Sequence, residues 1–100
     1  MSVILVLRLK GDPEALERFA NANPELMDGL AAAGRELGGV RHTFAAGDGE
    51  ILVVDEWPDE ASFQRFFDSQ PDVHRIMEAA GAQGPPEITF YRKIEGPGQF

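Results

Sequence analysis

His42 and Asp55 are the residues of this chain whose types and spacing best suit acid–base chemistry. They flank Gly47-Asp48-Gly49, and Asp-Gly is a favoured pair for a two-residue hairpin turn. With Asp48 and Gly49 as the loop, Gly47 faces Glu50, Phe44 faces Val53, His42 faces Asp55 and Arg41 faces Glu56. The His42–Asp55 pair then shares one sheet face with Val40, Phe44, Val53 and Trp57. A carboxylate that orients an imidazole among aromatic groups makes a general base. Opposed polar residues are also ordinary units of sheet stabilisation, so the pair reads as well as a cross-strand contact near a sheet edge or a dimer interface. A three-residue loop would set Arg41 against Asp55 instead.

Around this pair stand residues that suit a ligand pocket. Trp57 ends a strand beside a capping residue, where a large aromatic anchors a helix onto a sheet or stacks on a ligand. Phe63, Phe66, Phe67 and Met77 recur at helical spacing, which fits a core stripe or the wall of a cavity. Tyr91 can hydrogen-bond to a ligand oxygen or to backbone. His74 lies one helical turn before Glu78, as a solvated partner of that carboxylate or as a ligand contact. Arg8 and Arg92 interrupt apolar faces, where they suit a carboxylate ligand or a pairing with Glu56 or Asp55. Two histidines without a carboxylate cluster, in a chain without cysteine, predict no metal site. There is no glycine-rich phosphate loop and no nucleophile elbow, so no nucleotide cofactor, and no cofactor of any kind, is expected.

The elements that must hold these residues are legible from punctuation and periodicity. Val3 to Leu9 is a β-branched, nearly continuous apolar run, the pattern of a central strand buried on both faces. Asp12-Pro13-Glu14 supplies an N-cap, a proline at the first helical position and an acidic first turn. Asn23-Pro24 repeats the signal, which predicts two helical segments with a kink between them. Gly38 and Gly39 close the second. Val40 to Ala46 and Glu50 to Trp57 read as the two hairpin strands. Pro58 and Asp59 end the second strand and cap a helix from Glu60; Pro71 opens another that ends at Gly81. A last strand runs from Glu87 to Ile94. Residues 1–95 read as one domain and 96–100, rich in Gly and Pro, as a mobile tail. The order β, α, β, β, α, β predicts an α+β, ferredoxin-like fold, a four-stranded antiparallel sheet with helices on one face.

Composition narrows the partners. The chain has 100 residues with 43% apolar and 26% charged content, which suits one ordinary globular core. Seventeen acidic against nine basic residues leave a net charge of −8, which repels nucleic acid and anionic lipid. The apolar run at the start is too short to span a membrane. With no cysteine, these features predict a cytoplasmic protein that binds neither nucleic acid nor membrane.

The segment Leu52 to Phe67, LVVDEWPDEASFQRFF, has a strand ending in Glu-Trp, a cap two residues on, then Ala61, Phe63 and Phe66. With PEITFYRKI over residues 86–94, it resembles the antibiotic biosynthesis monooxygenase superfamily, and the resemblance covers nearly the whole chain in element order. It implies a homodimer, a dimeric α+β barrel in which two sheets meet through their helix-free faces. Apolar residues on both sides of Val3–Leu7 and Leu52–Val54 independently require a cover for the second face. The superfamily includes oxygenases that oxidise polycyclic aromatics to quinones without metal or flavin, and haem-degrading enzymes. The haem branch uses an Asn on the first strand, a Trp in the helix after the third strand and a His one helical segment later. Leu7 and Phe66 stand at the first two places, Ile76 or Met77 near the third with His74 off register, so haem degradation is not expected. What the resemblance implies is a small apolar or aromatic ligand; the reading of the residues themselves gives His42 and Asp55 as the catalytic candidates, with Phe44, Trp57, Phe66, His74, Met77 and Tyr91 as those around the ligand. The alternative is a dimeric binding or structural module with no active site.

Overall fold

A computed structural model describes residues 2–100. The elements run β1 (Val3–Lys10), α1 (Pro13–Ala22), α2 (Pro24–Glu36), β2 (Arg41–Gly47), β3 (Glu50–Trp57), α3 (Glu60–Ser69), α4 (Asp72–Ala79) and β4 (Glu87–Arg92). α1 and α3 begin where a side chain satisfies their orphan amides. Asp12 accepts from the amides of Glu14 and Ala15 at 3.0 and 3.3 Å, and Asp59 from that of Ser62 at 2.7 Å. Two of the helices, α2 and α4, end in glycine turns. Gly38, at φ +101°, donates to Arg35 O while Gly39 donates to Gly34 O, the paired bonds of a Schellman motif, and Gly81 with Ala82 repeats the arrangement on α4.

Two details differ from the sequence expectation. Asn23 does not cap α2 with its side chain; its Nδ2 donates back to Phe19 O at 2.9 Å, closing α1 instead. β4 stops at Arg92 rather than Ile94, because its partner β1 begins at Val3, opposite Arg92, and offers nothing beyond but the Ser2 carbonyl to Lys93 N.

The four strands form one antiparallel sheet in the order β2-β3-β1-β4, so β1 is central as its apolar run predicts. Leu5, Leu7 and Leu9 of β1 point to one face and join Ile51 and Trp57 of β3 in the buried core. Leu16, Phe63 and Ala80 meet them from the helices. The alternate residues line the other face, which no helix covers. There Val6 stands between Val54 and Thr89, with Ile4 and Leu52 nearby, and all four of Ile4, Val6, Leu52 and Val54 are only half-buried. Glu56 on that face is buried beneath two cations, Arg41 at 3.6 Å and Lys93 at 3.3 Å.

The caps carry a pH dependence. The carboxyls of Asp12 and Asp59 are held below the usual carboxylate range chiefly by hydrogen bonds to Glu14 and Ser62 at their helix starts. A folded-state pKa below the unfolded one adds stability above the unfolded value and loses it as pH falls through the folded one. Asp59→Ala should therefore lower the thermal unfolding midpoint at neutral pH. The gap from wild type should close as the buffer is taken to strongly acidic pH, and scanning calorimetry at stepped pH checks both parts.

Candidate functional site

The hairpin carries the site. Gly47 pairs with Glu50, so the loop is the two residues Asp48 and Gly49, and the register sets His42 opposite Asp55 as the sequence requires. Gly49 takes φ +67°, a left-handed value that suits glycine, while Asp48 keeps negative φ. Both partners of the pair project to the helix-covered face. His42 Nδ1 lies 2.7 Å from Asp55 Oδ1, and Trp57 Nε1 donates to Asp55 Oδ2 at 3.0 Å. One buried carboxylate thus holds two rings. Its side chain is 3% exposed against 46% for that of His42, so the imidazole sits at the boundary between interior and solvent. Against an ionised Asp55, which only accepts, Nδ1 carries the hydrogen; in the neutral imidazole the lone pair is then on Nε2, which has no hydrogen-bond partner among the described residues.

Trp57 is fixed from every side. Phe63 and Phe66 pack against it with ring centroids at 5.7 and 5.4 Å. The end of α2 lies on its indole edge. A side chain at Gly39 would put a Cβ 2.9 Å from the Gly34 carbonyl and 3.4 Å from Trp57, so this turn can approach only as glycine.

Between sheet and helices lies a cavity of about 360 Å³. His42, Phe44, Asp55, Trp57, Phe66 and Met77 all line it. β2 is exposed along its whole length because it lies at the sheet edge, and Val40 and Phe44 are left 59% and 40% exposed beside His42. The other wall is α2, where Met27, Leu30 and Ala31 lead to Gly34. That stripe shrinks toward the end of the helix, and small side chains facing an edge strand leave the space unfilled.

Two expected site residues lie elsewhere. Tyr91 pairs with Ile4, so it points to the helix-free face, 56% exposed. The period of two along β4 decides this: Ile88 and Phe90 take the helix side and Tyr91 the opposite one. His74 is exposed on α4 beside a separate shallow groove with Glu78 and Gly81. Arg8 also faces away and pairs with Glu50 at 3.2 Å. Arg35, in the last turn of α2, lines the cavity and went unnoticed in the sequence, where a cation near a helix C-terminus needs no further explanation. Among the described residues no three His, Asp or Glu side chains converge as metal ligands do.

No protein-family model and no curated protein matches the sequence. Solved structures do match its shape. A cofactor-independent oxygenase from Streptomyces nogalater, SnoaB, superposes with a TM-score of 0.61 at 21% identity over 98% of both chains. A monooxygenase of Streptomyces coelicolor, solved with the ligand nanaomycin D, gives 0.63 at 20% identity over 97% of this chain and 93% of that one. A structure described as an antibiotic biosynthesis monooxygenase gives 0.61 at 13% identity over 93% and 99%. The chain has the antibiotic biosynthesis monooxygenase fold. At these identities the likeness is one of backbone arrangement. Within this fold the pair His42–Asp55 and the cavity belong to the space between sheet and helices, whereas Tyr91 belongs to the opposite face of the sheet.

Proposed function

We propose that this chain is a homodimeric protein of the antibiotic biosynthesis monooxygenase superfamily that encloses a small aromatic molecule and oxidises it without a cofactor. One observation carries the reading: an imidazole held at 2.7 Å by a buried carboxylate opens onto an apolar cavity of about 360 Å³. That volume is at the small end of the range of ligand sites, enough for a compact ring system. Phe44, Trp57, Phe66 and Met77 provide apolar walls, and His42 Nε2 is the base. Removing a proton from an activated hydroxyarene or its keto form leaves an electron-rich anion. The anion's own electrons reduce dioxygen; one oxygen atom enters the ring to give the quinone and the other leaves as water.

A second reading has its own support, because the other oxygen of Asp55 holds the indole of Trp57. On that reading the triad of side chains ties an edge strand to the core, and the protein binds without turnover. Air oxidation of anthrone separates the two. The enzyme should consume one dioxygen per quinone formed, well above the rate in buffer. A rate equal to that of buffer across a panel of such rings would leave the binding module.

A further inference from the structure

The cavity does not share the acidic excess of the chain. The protein carries −8, yet the residues that line its cavity include Arg35, His42 and a single carboxylate, Asp55; Arg41 borders it too, but its side chain turns to Glu56 on the helix-free face. Both oxygens of that carboxylate are engaged, by His42 at 2.7 Å and Trp57 at 3.0 Å. Arg41 is committed to Glu56 at 3.6 Å. Arg35 has neither an ion pair within 4.0 Å nor a side-chain hydrogen bond among the described residues. It stands in the last turn of α2 and, like the exposed Val40 just before β2, lines the cavity. The mouth of an apolar cavity is thus furnished with one uncommitted planar donor and no competing acid.

We infer that the molecule taken by this cavity is an aromatic carboxylate, its ring among the aromatic walls and its anionic group on Arg35. This rests on reading the cavity as an enclosure for a small aromatic molecule, and adds the group at its rim. A guanidinium presents paired N–H donors that match the two oxygens of a carboxylate. A neutral ring would leave Arg35 solvated and gain nothing from it. An acidic side chain at the rim would have repelled such a ligand, and none is available there.

Titration calorimetry with naphthoate and its neutral isostere naphthamide tests the inference on the full chain. Arg35 is exposed, so the contact is partly screened, and a preference for naphthoate of about fivefold is expected at low salt, shrinking as salt rises. In Arg35→Gln the two ligands should bind alike, with naphthamide unchanged from wild type, which also verifies that the variant keeps the cavity. Equal affinities in the wild type, or a preference that survives Arg35→Gln, would overturn the assignment. Failure of both ligands to bind would remove this inference together with the enclosure beneath it, whereas naphthamide binding without a carboxylate preference removes this inference alone.

Discussion

Replacing His42 with alanine should cut the rate of quinone formation by about 10²- to 10⁴-fold, the usual contribution of a positioned base, while ring binding persists. The expectation follows from geometry. Asp55 holds Nδ1, which leaves Nε2 as the unengaged nitrogen, among the described residues, of a ring that lines the cavity. Because His42 lies on an edge strand with nearly half its side chain exposed, its loss should cost only about 1 kcal/mol of stability, as for most single substitutions. Asp55→Ala is a poorer probe. It would strip the imidazole of its partner and also leave the buried indole N–H of Trp57 unsatisfied, at about 1–3 kcal/mol, so lost activity and lost packing would be confounded. Stopped-flow absorbance at the quinone band, with unfolding curves measured in parallel, separates the two effects. A His42→Ala protein that turns over at the wild-type rate would show that the pair is structural.

Val54→Arg should convert a dimer into a monomer. Val54 and Val6 face each other at the middle of the helix-free sheet face, with Thr43 and Thr89 completing the cross-strand row. On its own the chain leaves this apolar centre half-exposed, although the rows around it carry matched charges, Arg41–Glu56–Lys93 on one side and Arg8–Glu50 on the other. An apolar centre inside a polar rim is the anatomy of a protein–protein interface. On the proposal that the chain is a homodimer, a second copy is the cover, and an obligate interface of that kind buries on the order of 2,000 Å² or more. A guanidinium at its centre would be desolvated without a partner, which association cannot offset. Sedimentation velocity at micromolar concentration should therefore give a dimer for wild type and a monomer for Val54→Arg, with helical content retained. A wild-type monomer would contradict the arrangement.

Much of this was legible in the sequence, for physical reasons that can be named. The Asp48-Gly49 turn fixed the strand register, and since side chains alternate along a strand, register alone decided that His42, Phe44, Asp55 and Trp57 share a face. Continuous apolar character in Val3–Leu9 marked β1 as central. Tyr91 was misplaced because a lone tyrosine in an alternating strand is equally attractive on either face until the pairing with β1 is known. His74 lies off the cavity for a similar reason: its face on α4 depends on how that helix docks. Arg35 and the shrinking stripe Met27, Leu30, Ala31, Gly34 were invisible as site features. A cavity arises from what two elements leave unfilled between them, and neither α2 nor β2 alone encodes that distance. The Asp55–Trp57 bond likewise needed the indole's orientation, which Phe63, Phe66 and Gly39 impose from three different segments.

Trp57 is the only tryptophan of the chain and it lines the cavity, so its emission reports occupancy without any label. Titration of the wild-type protein with a hydroxynaphthoquinone, followed at the tryptophan emission maximum, addresses the enclosure of an aromatic ring more directly than any turnover assay. Saturable quenching that reaches its plateau at one equivalent per chain, and that His42→Ala retains, is the expected result. Emission that declines only linearly with added quinone, as for collisional quenching of any exposed indole, would contradict it.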